Sequence, residues 1–154
     1  MLTITTQDVL TKSWIELNPD EIKYCIYLIR DKDAVLYIGR SQNPIERLEQ
    51  HFGNHNYFSG KSNIGWYYRK YRSLAVSWAI DLYTVEECRT RLKDFLLQKG
   101  YILDRVDMQI SEMVMIEYFH PSLNIHNNPN PSRLPKQYDH PLFQLKPGAT
   151  DNLY

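Results

Sequence analysis

Two short runs dense in β-branched and aromatic residues, KYCIYLIR (23–30) and AVLYIG (34–39), flank the polar triplet Asp31-Lys32-Asp33. Such runs around a polar break predict a β-hairpin. With the triplet as the loop, Arg30 pairs with Ala34 and Tyr27 falls opposite Tyr37, so that both rings leave the same face of the sheet. The pattern then changes period. Asn43 is placed as an N-cap, Pro44 at the first helical position and Glu46 three residues after the cap, which is the signature of a helix start. Ile45, Leu48 and Phe52 form its apolar stripe, and Arg47 and His51 lie one turn apart on another side.

Further along, GKSNIGWYYRKYRS (60–73) predicts a helix both basic and aromatic, LAVSWAIDLYT (74–84) a third strand, and VEECRTRLKDFLLQKG (85–100) a helix closed by Gly100. DMQISEMVMIEYFH (107–120) is a helix whose near-continuous Ile110, Met113, Val114, Met115 and Ile116 require burial, and Pro121 ends it. At the start of the chain, Val9, Leu10 and Trp14 are spaced as a short helix over 7–16, stopped by Asn18-Pro19-Asp20. The proline-rich stretch from Asn127 onward suits neither helix nor central strand. The expected fold is α/β of the α+β kind, a small three-stranded antiparallel sheet flanked by helices. Residues 1–22 would be a helical extension, 23–126 the domain, and 127–154 an extended C-terminal arm.

Composition agrees with one globular unit: 154 residues, 43% of them hydrophobic, with 12 tyrosines. No run approaches the ~20 apolar residues of a membrane span. The start of the chain lacks the pattern of a signal peptide, so no membrane association and a cytoplasmic location are expected. Cys25 and Cys88 stand far apart without a CxxC motif, which points to neither a disulfide framework nor a zinc site. The chain is neutral overall, yet residues 25–72 carry eight basic residues against four acidic ones. Positive charge therefore gathers around the hairpin and the helix after it.

The order is thus a hairpin with two same-face tyrosines, a helix with Arg47 and His51, a third strand, and a buried helix followed by PSLN (121–124). With CIY (25–27), YIG (37–39), RSQNPIERLEQH (40–51) and EYFHPSLN (117–124), the sequence resembles the GIY-YIG nuclease domain over residues 23–126. The resemblance implies an endonuclease that hydrolyses DNA with one divalent ion, Mg²⁺ or Mn²⁺, by in-line attack of water. It assigns Tyr27 to the attacking water, as base or as an aid to the base, and Tyr37 to ordering water and phosphate. Arg47 would bind the scissile phosphate, His51 would stand beside it, Glu117 would be the metal carboxylate, and Asn124 would give support. Which group is the general base stays open between a tyrosine phenolate and His51.

DNA contacts are expected from Arg40, Lys61, Arg69, Lys70 and Arg72, with Trp66, Tyr67 and Tyr68 as stacking surfaces. The alternative for these rings is a core-facing stripe with solvated charges behind it. A homodimer through the C-terminal arm would bring two cutting sites together. Cys25 stands where the family motif has glycine, and on the face of Tyr27 it would narrow the pocket. The rival to catalysis is a non-catalytic module of the same fold that binds nucleic acid or protein.

Overall fold

The computed structural model describes residues 1–11, 23–53 and 63–143. Its sheet has four antiparallel strands, not three: β1 (Leu2–Thr5), β2 (Ile26–Asp31), β3 (Ala34–Arg40) and β4 (Ala79–Tyr83), in the order β1-β4-β2-β3. The unexpected strand is β1, which pairs along β4 from Leu2 opposite Leu82 to Thr5 opposite Ala79. Four residues carry too short an alternation to announce a strand, and β1 exists because β4 offers a ladder to pair with. A helix α1 (Thr6–Thr11) follows it directly. The remainder of the helix expected over 7–16, with Trp14, lies outside the described residues.

The hairpin forms with a tighter turn than expected. Asp31 pairs with Ala34 across a two-residue turn, and Lys32 has φ of 53°, a left-handed conformation. The register then shifts between Ile29 and Arg30, so that Leu36 is the extra residue of a bulge. In consequence Tyr27 faces Gly39 and Ile29 faces Tyr37, and the expected direct pairing of the two tyrosines is replaced by a diagonal one on the same face.

Helices cover both faces. Ile45, Leu48 and Phe52 of α2 (Pro44–Gly53), Ile64 and Tyr68 of α3 (Asn63–Lys70) and Ala75 of α4 (Arg72–Ala75) pack with Tyr27, Ile29, Ile80 and Leu82. On the other face Cys88 of α5 (Val85–Arg91), Leu96 of α6 (Lys93–Gln98) and Val114, Met115 and Ile116 of α7 (Met108–Phe119) pack with Ile26, Leu28 and Ile38. The strand expected over 74–84 is only its second half, because α4 takes residues 72–75 and a turn leads to β4. The helix expected over 85–100 starts with a capping box between Thr84 and Glu87, breaks at Leu92, and ends before Gly100, whose φ of 87° suits the residue after a helix.

The described part of the C-terminal arm is bound to its own domain. Tyr138, 3% exposed, accepts a hydrogen bond from Trp78 Nε1 at 2.7 Å and donates one to Asp31 Oδ2 at 2.7 Å. Its ring meets Tyr71 edge-on at 4.8 Å. Ile4 and Val9 from the start of the chain belong to the same buried cluster as Tyr138. The extension and the arm thus share one core with the domain between them, and residues 127–143 give no support to a dimer formed by a free arm. No helix among the described residues is long and apolar enough to cross a membrane.

Tyr138→Phe should lower unfolding stability by about 1–3 kcal/mol, since it leaves the buried indole N–H without its acceptor and Asp31 without its donor. Urea denaturation of both proteins measures the difference.

Candidate functional site

Strand β3 is an edge of the sheet, and α7 packs along it. Tyr27 reaches this edge by laying its ring across Gly39. A Cβ built on Gly39 would stand 2.3 Å from Tyr27 Oη and 2.3 Å from Cζ, far inside any real contact. Glycine in the YIG triplet is therefore a requirement for space and not for backbone conformation. Across it the rings of Tyr27 and Tyr37 approach with centroids 6.2 Å apart and planes inclined by 28°.

Helix α2 begins at Pro44, where Asn43 and Pro44 place it, and presents Arg47 and His51 to the tyrosine face. Arg47 is exposed, whereas His51 is 3% exposed. Burial, and after it the positive charge of Arg47, push the His51 imidazole down to about 3, so it is neutral at physiological pH. Both phenols are pushed up, first by burial. For Tyr27 the neighbouring Tyr37 adds to this, Arg47 opposes it, and Glu112 adds again. For Tyr37, Glu112 raises and Arg47 lowers. Burial outweighs the guanidinium, so in the free protein both tyrosines are protonated and neither is a phenolate base.

The carboxylate that acts on the tyrosine pair is Glu112, not the expected Glu117. Glu112 shares a side of α7 with Met115 and Ile116, both buried, and burial raises its own carboxyl while Arg40 opposes that rise. Arg40 Nε donates to Glu112 Oε1 at 3.2 Å. Glu117 is five positions on, about 140° around the helix. It pairs instead with Lys99 at 2.5 Å, with 37% of its side chain exposed. The Pro-x-x-Asn tail drew attention to the glutamate nearest to it. The overlooked signal was an acidic residue inside the buried sector of an otherwise apolar helix.

Asn124 has a defined task. Its Nδ2 donates to Ile38 O at 2.8 Å and its Oδ1 accepts from Ile38 N at 2.9 Å, a two-point clamp between Tyr37 and Gly39. Leu123 N donates to Leu36 O at 2.8 Å and Ser122 N to Val35 O at 3.2 Å, so the segment after α7 lines the edge of β3. Asn128 in turn donates to Pro121 O and Asn124 O. Asn124 positions the strand that carries Tyr37.

Cys25 packs in the cluster with Ile26 and Leu28, on the face away from Tyr27, and does not narrow the site. Burial raises both Cys25 and Cys88 thiols. Among the residues expected to grip DNA, Arg40 is at the site, Arg72 is exposed, and Arg69 and Lys70 are half-buried on α3. Lys61 lies outside the described residues. Tyr68 is core, 4.5 Å from Phe52 between ring centroids, while Trp66 and Tyr67 remain half-buried with Lys70 Nζ 5.1 Å from the Trp66 ring. The aromatic stretch is thus divided between core and surface. No group of three or more His, Cys, Asp or Glu side chains able to surround a metal occurs among the described residues. Glu112 offers one half-buried hard oxygen donor, which fits Mg²⁺, an ion that keeps most of its water shell.

Two outcomes follow from this geometry. Gly39→Ala should cost about 1–3 kcal/mol in stability and displace Tyr27, seen as a change in the near-ultraviolet circular dichroism of the tyrosines. His51 is neutral when folded down to about 3 but takes up a proton below its ordinary value of 6.5 when unfolded. Its contribution is therefore fully present above about pH 6.5 and is lost as pH falls toward 3, by up to about 1.4 kcal/mol per pH unit. His51→Gln should show a flatter stability profile over that window in denaturation at a series of pH values.

No curated protein and no solved structure matches the chain. Residues 23–94 match the family model of the GIY-YIG catalytic domain, a span that holds Tyr27, Tyr37, Gly39, Arg47 and His51 and ends before α7. Over residues 23–94 the chain is thus similar to the catalytic domain of the GIY-YIG family, whose members are nucleases.

Proposed function

We infer that the protein is a divalent-metal-dependent DNA endonuclease. The observation that carries this is the convergence, at one sheet edge, of a buried and a half-buried neutral phenol, an exposed guanidinium, a neutral imidazole and the Glu112 carboxylate. Phosphodiester hydrolysis needs a positioned water, a charge clamp on the phosphorus oxygens and relief of charge on the leaving oxygen. Arg47 is the clamp on the non-bridging oxygens of the scissile phosphate. The Tyr27 and Tyr37 hydroxyls hold the water and a phosphate oxygen.

His51 is the unprotonated base within this group. Its proton affinity is held down partly by Arg47, and a phosphate that neutralises Arg47 lifts this restraint. Water attacks in line and its oxygen bonds to phosphorus. The water proton passes to His51, and the bond from phosphorus to the 3′ oxygen breaks, leaving a 5′ phosphate and a 3′ hydroxyl. A Mg²⁺ or Mn²⁺ ion on Glu112, when bound, would supply Lewis-acid stabilisation of the leaving oxygen. Asn124 acts only through β3. A cytoplasmic protein acting as a monomer suffices for this chemistry.

Nicking of supercoiled plasmid at low salt tests the proposal. Wild type should nick with Mg²⁺ or Mn²⁺ and stop with EDTA. Glu112→Gln should lose about a hundredfold or more of the rate, while Glu117→Gln keeps it within about threefold. The reverse order of the two variants would return the metal to Glu117, and no nicking of plasmid, branched or single-stranded DNA by the wild type would exclude a DNA nuclease.

A further inference from the structure

Arg40 is the last residue of β3 and Glu112 is in the second turn of α7, so their ion pair ties the strand of the YIG triplet to the helix of the acidic group. The side-chain contact is single-point, Nε to Oε1, and at 3.2 Å it is longer than the ~2.7–2.9 Å of a strong charge-assisted bond, while the Arg40 backbone gives Glu112 a second hydrogen bond that does not depend on the guanidinium. The side chains are 38% and 23% exposed, so solvent reaches the contact and the guanidinium has room to leave. A guanidinium carries five donors and no acceptor and does not lose its charge, so it cannot join a cation's ligand shell.

We propose that Arg40 and the divalent ion are rival occupants of the Glu112 carboxylate, and that a nucleic-acid phosphate settles the rivalry by drawing Arg40 away. This rests on the assignment of the metal to Glu112 made above. In the free protein the Arg40 guanidinium stands in for the cation and keeps a half-buried carboxylate from being left without a counter-charge. A phosphate offers Arg40 two parallel hydrogen bonds in place of one long one. Glu112 then binds the metal more tightly when substrate is present than in the free protein. Because coupling is reciprocal, the metal must strengthen nucleic-acid binding by the same factor with which nucleic acid strengthens metal binding.

Binding of Mn²⁺, read from the electron paramagnetic resonance of the free ion, tests this without cleavage. The proteins to compare are wild type, Arg40→Gln, Glu112→Gln and Lys99→Gln, the last removing the cationic partner of the other glutamate of α7. Arg40→Gln should tighten Mn²⁺ about fivefold, Lys99→Gln should leave it unchanged, and Glu112→Gln should remove it. Duplex DNA with phosphorothioate linkages should tighten Mn²⁺ in the wild type but not in Arg40→Gln. In the wild type itself, Mg²⁺ should move the Arg40 Nε–H signal in ¹H–¹⁵N spectra. Loss of Mn²⁺ binding in Glu112→Gln with no gain in Arg40→Gln and an unmoved Arg40 signal overturns the rivalry alone. Unchanged binding in Glu112→Gln, or tightening in Lys99→Gln, overturns the metal assignment beneath it.

Discussion

The edge of strand β3 is the constraint on which the site depends. An edge strand presents backbone groups that pairing within the sheet does not satisfy, and here the chain after α7 satisfies part of them through Ser122, Leu123 and the side chain of Asn124. The amide of Asn124 copies the donor and acceptor of a neighbouring strand at one residue, Ile38. That single match fixes where α7 ends against β3 and hence where Glu112, about two turns before that end, comes to lie. A helix on one face of the sheet and a tyrosine pair on the other are brought to one place by this coupling.

Space at the same edge is governed by Gly39. Without a Cβ there, the Tyr27 ring can cross to Tyr37, and the two phenols become a paired surface, Tyr27 buried and Tyr37 half-buried. Burial holds them firmly as neutral hydroxyls, and burial with Arg47 makes His51 a neutral imidazole. Charge at the site is left to Arg47, Arg40 and Glu112. An anion is attracted to the two guanidiniums and a cation to the carboxylate, which is a division of labour suited to a phosphate and a metal side by side.

The core around this edge is held by contributions from both ends of the chain. β1 completes the far side of the sheet, and Tyr138 joins Trp78 to Asp31 beside the hairpin turn. Asp81, 5% exposed, is paired by Arg30 and Thr3, so even the buried charge of β4 is satisfied. The hairpin is therefore clamped at its turn by Tyr138 and at its open end by the packing of α2 and α7. Its tyrosines sit on a framework that leaves them little freedom.

Local features were legible in the sequence because their causes are local. The β-branched runs, the Asn43-Pro44 helix start, Gly100 after α6 and the shared face of Tyr27 and Tyr37 all follow from spacing and backbone preference. The resemblance to the GIY-YIG domain rested on such short motifs, and it marked Tyr27, Tyr37, Arg47, His51 and Asn124. What depended on distant partners was not legible. β1 needed β4, the diagonal tyrosine contact needed the bulge at Leu36, and Tyr68 could not be told from Trp66 and Tyr67 without the core they pack against or leave. The choice between Glu112 and Glu117 is the sharpest case. Both stand on one apolar helix, and only the rotation of that helix against the sheet, set by Asn124 and the packing of Val114 and Met115, turns one carboxylate to the tyrosines and the other to Lys99.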